Sequence, residues 1–206
     1  MLGPEGAARH ARAWLATRIP ARLRVLEARY STPEQPVRLP DPAHVRDHEV
    51  GPLALEDWPS VFVLPLRQEG MRLVDVREDA SEVYRVTYAL RVLAWVRADS
   101  FASTDQLRKR YALAIRECLL ERKSLSPAAT YGSGDYGIDR EDTVVDPASI
   151  REDYSDVMVD DAKRTIAGVD VTVNLIVTEV LAGPEPLGLA EELGVTPLPA
   201  HPALDE

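Results

Sequence analysis

The sequence predicts an α+β domain, a mainly antiparallel sheet packed against two helices. Three stretches carry that prediction. Residues 84–97 alternate, with Tyr84, Val86, Tyr88, Leu90, Val92, Ala94 and Val96 on one side. Residues 165–181 alternate as well, with Val169, Val171, Val173, Leu175 and Val177 opposite Asp170, Thr172, Asn174 and Thr178. A period of two puts each set on one face of a strand, so both are long strands with a core face. Between them, residues 104–123 place Leu107, Tyr111, Ile115, Cys118, Leu119 and Arg122 at helical spacing.

Residues 5–30 form the first expected helix. Ala11, Leu15, Ile19, Leu23, Leu26 and Tyr30 recur every three or four residues. Pro20 lies inside this stripe and lacks a backbone donor, which predicts a kink or two shorter helices. Arg9, Arg12, Arg18, Arg22, Arg24 and Arg29 decorate the other side. A solvated face is the plain account of them; a dock for an acidic partner is the sharper one.

Residues 31–57 hold Pro33, Pro36, Pro40, Pro42 and Pro52 and read as an irregular insert. Trp58 to Leu66 is a short buried strand. Glu69-Gly70 reads as a turn, and Met71 to Arg77 as a strand that pairs back. With residues 84–97 these make an antiparallel meander. Ser103 or Thr104 is the expected cap of the second helix, Ser103 with Gln106 having capping-box spacing. Residues 124–148, with Pro127, Gly132, Gly134 and Gly137, read as a flexible loop, and residues 150–159 as a further strand. The expected domain is residues 1–182. The proline-rich residues 183–206 form a tail that is either disordered or ordered on a partner.

Composition narrows the function. The formal net charge of −10 opposes general binding to nucleic acid or anionic lipid, both of which need a cationic surface. No stretch has the apolar length of a membrane span. The first residues lack the basic-then-apolar layout of a signal peptide. The single cysteine, Cys118, reads as a small buried hydrophobe.

The search for chemistry finds no catalytic constellation, metal site or cofactor site. His44 and His48 have i, i+4 spacing, but Pro40 and Pro42 oppose a helix there, and no glutamate follows the first histidine. Tyr131 to Gly137 is glycine-rich, yet no Lys-Ser/Thr pair follows it, and acids stand where a phosphate would sit. Asp135, Asp139, Asp142 and Asp146 miss the carboxylate spacing of an EF-hand. No Gly-x-Ser-x-Gly elbow occurs. What remains is interaction surface: long strands, a proline-rich insert, a loop bearing aromatic residues and a tail.

Trp58-Pro-Ser-Val-Phe-Val-Leu-Pro-Leu66, then Tyr84 to Val96 leading closely into the helix, then Asp170 to Val180, give an order of elements that resembles the tail terminator (tail-completion) proteins of long-tailed phages. The likeness is one of layout and covers most of residues 5–181; the insert and the tail fall outside it. The resemblance implies a non-enzymatic virion protein, assembled in the host cytoplasm. It implies a hexameric ring of this chain on the last ring of the major tail tube protein, facing the head–tail connector proteins, with DNA passing through the lumen unbound. It adds no catalytic residue or cofactor. The expected contacts to neighbours are loops 67–82 and 128–146, represented by Gln68, Glu69, Arg72, Glu78, Tyr131, Asp135 and Tyr136. Another connector component, a stopper or adaptor, shares this role class. A small enzyme assembled from Asp135, Asp139 and His48 and a free-standing binding module are the competing readings.

Overall fold

A computed structural model describes residues 3–48, 50, 53–54, 57–78, 80–122, 124–125, 143–159 and 164–181. The elements run α1 (Gly3–Tyr30), β1 (His44–Arg46), β2 (Ser60–Val76), β3 (Glu82–Ala98), α2 (Phe101–Glu121), β4 (Thr143–Tyr154), β5 (Met158–Val159) and β6 (Thr165–Leu181). The sheet has six strands in the order β1-β2-β3-β6-β4, with β5 beside one end of β6. All pairings are antiparallel except β1 with β2.

The two strands first legible in the sequence are the centre of the sheet. β3 and β6 pair without a break from Glu82↔Leu181 to Ala98↔Thr165. That register sets Leu90 beside Val173 and Val92 beside Val171, so the two alternating apolar sets share one face. Both helices cover that face. Leu15, Ile19, Leu23 and Leu26 from α1, and Tyr111, Ile115, Cys118 and Leu119 from α2, join Val61, Val63, Val92, Val96, Val171 and Leu175 in one core. On the opposite face Trp95 lies across Gly168, where an added Cβ would come within 3.3 Å of the ring.

Several expectations give way. α1 is one helix through Pro20, not two. Proline removes a single ladder bond. Leu15, Ile19 and Leu23 are fully buried on either side of it, and their packing holds the helix together. α2 begins at Phe101, and its cap is Ser100. The Ser100 side chain accepts from the Ser103 amide, and the Ser103 hydroxyl receives the Ser100 amide in return. The proline-rich insert contributes β1, which the irregular composition hides.

The insert is also held to the helices. The Leu39 amide donates to the buried Glu27 carboxylate at 2.6 Å, and the Tyr111 hydroxyl donates to the Pro40 carbonyl at 2.7 Å. Arg24 reaches the Leu39 carbonyl and Asp41. Finally, residues 143–148, expected within a flexible loop, open β4, with Thr143 and Val145 buried.

Candidate assembly interface: the β2–β3 arm

The expected turn at Glu69-Gly70 does not occur. β2 continues through it to Val76, a length of about 56 Å at ~3.3 Å per residue. Gly70 is paired with Thr87, and the extra residues are taken up by register shifts at Pro65/Arg67, Gln68/Gly70 and Leu73/Asp75. A glycine inside a strand often marks a bulge, and β3 offers an unbroken ladder that satisfies the backbone better than a reversal would. The true turn follows Val76. There the Arg77 amide donates to the Ser81 carbonyl at 2.8 Å, and Ala80 takes a φ of 62°.

β2 therefore has two unlike halves. Ser60 to Val63 are buried, Val61 and Val63 of them in the core that the helices cover, whereas every residue from Pro65 to Val76 is exposed. β1 covers the edge of β2 only at Ser60, Val61 and Phe62. Beyond it, among the described residues, no strand pairs with the outer edge. This projecting half carries Leu66, Met71, Leu73, Val74 and Val76, each between 45% and 55% exposed. Met71 and Leu73 stand opposite Val86 and Tyr84 on the core-facing side of the sheet, but lie past the helices' cover. A long edge with open backbone groups and clustered apolar side chains is a template for joining another surface.

Four of the sequence-predicted contact residues lie on this hairpin, Gln68, Glu69 and Arg72 on strand rather than loop and Glu78 in the turn. Gln68 is opposite Tyr88, and Glu69 sits at a register shift with its carboxylate 2.6 Å from the Arg67 guanidinium. Arg72 is opposite Arg85. Glu78 is exposed in the turn. Tyr131, Asp135 and Tyr136 lie outside the described residues, as does most of the 128–146 loop; its last residues, from Thr143, are strand. Sequence reasoning missed the apolar members of the arm. Adjacent Leu73 and Val74 were the available signal, since neighbours in a strand face opposite ways and cannot both enter one core.

The arginine face of α1 has a different fate. Arg18 and Arg22 bond Glu121, and Arg29 bonds Glu117 at 2.8 Å, so α2 supplies the acids. The Arg18 hydrogen bond, with help from Arg22, holds the Glu121 carboxyl below its ordinary value. Arg12 pairs with Asp47 at 3.1 Å. The dock for an acidic partner is thus occupied within the chain.

The residues weighed for chemistry are dispersed. His44 lies 2.8 Å from Asp57, and His48 lies 3.2 Å from Asp47. Among the described residues no group of three or more His, Cys, Asp or Glu side chains could hold a metal ion. Asp135 and Asp139 lie outside the described residues. Burial pushes the Cys118 thiol up to about 12, away from reactive thiolate. At the other end of the core Glu179, only 3% exposed, accepts the Tyr88 hydroxyl and the Gly3 amide, both at 2.9 Å. It thereby anchors the start of α1 to β6, a carboxylate where the helix dipole favours one. Compared with known proteins, the sequence matches no family model and no curated sequence.

Proposed function

We propose that this chain is a structural subunit that assembles with copies of itself into a ring, in the role of a phage tail terminator. The observation that carries the reading is the exposed β2 arm, an edge with no strand partner among the described residues and five exposed apolar side chains beyond the core. A monomer gains nothing from leaving that surface to water, and a neighbouring subunit would bury it. The opposite edge of the sheet is β4, a different surface. An arm meeting a dissimilar face on the next copy is a heterologous contact, the kind that closes a ring when its rotation allows. In the resemblance to tail terminators the ring caps the tail tube and meets the head–tail connector, and no catalysis is required of it.

The test is an arm variant, Leu73→Lys with Val76→Lys. Both positions are exposed, so the variant keeps its circular dichroism and melting temperature within a few degrees. Sedimentation velocity and negative-stain microscopy should show rings for the natural chain and monomers for the variant. The natural chain should also halt growth of tail tubes polymerised in vitro. Rings formed equally well by both chains would remove the arm from assembly. A natural chain that stays monomeric at high concentration would sink the ring itself.

A further inference from the structure

The arm has a second side. On its outer face Arg72 of β2 stands directly opposite Arg85 of β3, and both are exposed. Like charges directly opposite across a strand pair are destabilising. Neither guanidinium has a carboxylate partner among the described residues; the next acid on this face, Asp75, turns its carboxylate to the Val76 amide at 2.9 Å. The neighbour of Arg85 on its other side is Thr178 of β6, which is uncharged. This doublet calls for an anion from elsewhere.

The chain leaves the sheet beside it. β6 ends at Leu181, opposite Glu82. Leu181 is therefore three residues along the sheet and one strand across from Arg85, about 10 Å by about 5 Å. Ala182-Gly183-Pro184 follows, and a Gly-Pro pair is a turn-forming sequence. The first acid after it is Glu185, within about 13 Å of Leu181 along the chain. Residues 182–206 contain Glu185, Glu191, Glu192, Asp205 and Glu206 and no lysine or arginine. Leu187, Leu189 and Leu193 lie among these acids.

We infer that residues 182–206 turn back at Gly183-Pro184 and dock, within the same chain, on the outer face of the arm. Glu185 and the Glu191-Glu192 pair face Arg85 and Arg72. The inference does not depend on the tail-terminator reading. It makes the C-terminal segment an occupant of a surface that borders the proposed assembly edge.

Hydrogen exchange on the full-length chain tests it, at a protein concentration where sedimentation shows single copies. Three variants are compared with the natural chain. One is Arg72→Glu with Arg85→Glu. Another is Glu185→Lys with Glu191→Lys and Glu192→Lys. The last combines all five changes. The altered arm positions are exposed, and circular dichroism checks that each variant folds. Amides of residues 67–76 and 84–88 should exchange several-fold faster in each single-sided variant, and return toward natural protection in the combined one. High ionic strength should loosen the natural chain in the same region, because salt screens exposed pairs. Equal exchange in all four chains would overturn the inference. So would protection that rises with protein concentration, since a second copy would then be the occupant. Ring formation is scored separately by microscopy, so failure of that reading leaves this result interpretable.

Discussion

At the scale of single residues, the polar groups inside this protein are ties between segments. Glu27 is the clearest. It lies on the buried side of α1, among leucines, where an unpaired carboxylate would be costly. Its carboxylate accepts the Leu39 amide and the Arg24 guanidinium, each at 2.6 Å, and so fastens the insert to the helix. The Leu39 hydrogen bond, aided by the Arg24 charge, holds the Glu27 carboxyl below its ordinary value of 4.5. A depressed folded value means that the unfolded chain takes up the proton first. The tie therefore stabilises fully above about pH 4.5 and is lost as pH falls through the folded value. Glu27→Gln should destabilise the fold by about 1–3 kcal/mol at neutral pH. The gap between natural chain and variant should close in acid. Chemical denaturation at several pH values measures it, and a gap that widened in acid would contradict this account.

At the scale of elements, termini and interruptions obeyed local chemistry only where packing agreed. Ser100 caps α2 because a serine there can reach the Ser103 amide while its own backbone stays extended, with φ −147° and ψ 160°. The sequence offers several serines and threonines nearby, and the helix takes the earliest that the strand leaves free. Ser100→Ala should cost about 1 kcal/mol, read as a lower melting temperature with an unchanged spectrum. Ser103→Ala should cost a comparable amount by breaking the other half of the box, whereas Gln106→Ala should cost little. Pro20 shows the reverse case. Its local preference is to break α1, and the buried leucines on both sides outweigh it. The α1–α2 seam is an element-scale feature too: the arginines of one helix were visible in the sequence, but their carboxylate partners lie about a hundred residues away.

At the scale of the whole molecule, the chain divides into a body and an arm. The body is a sheet with two helices on one face. The arm is the part of the β2–β3 hairpin that runs beyond them. A charge in each place should have opposite consequences. Val92 is fully buried at the centre of the core. Val92→Asp places an unpaired carboxylate there and should abolish cooperative unfolding, a loss of several kcal/mol. Charges in place of the exposed apolar residues of the arm, as in Leu73→Lys, should spare the fold and change association. If Val92→Asp melted like the natural chain, the core described here would be misplaced.

The same division separates what was legible in the sequence from what was not. β3, β6 and the buried stripes of α1 and α2 were legible because each buries one side. Burial on one side writes a period of two or 3.6 into the residues themselves. The meander was misread at Glu69-Gly70 because glycine serves turns and bulges alike, and only an available partner strand decides between them. β1 was missed because three residues at the edge of a sheet need no periodicity. Proposed contact residues such as Arg72 were named as members of an expected loop, 67–82, and their place on a strand edge was not visible.

By itself, the sequence determined the α+β class, the two central strands, the helices and the absence of a recognisable catalytic motif. Each of these follows from patterns that a short window contains. Only the tertiary structure decided the rest. It paired the arginines of α1 with the acids of α2 and carried β2 past its expected turn. It also left Leu66, Met71, Leu73, Val74 and Val76 beyond the reach of the core. The physical reason is that pairing and cover are properties of neighbours in space. A leucine buried by a helix and a leucine left on a free edge are the same residue until the helix ends.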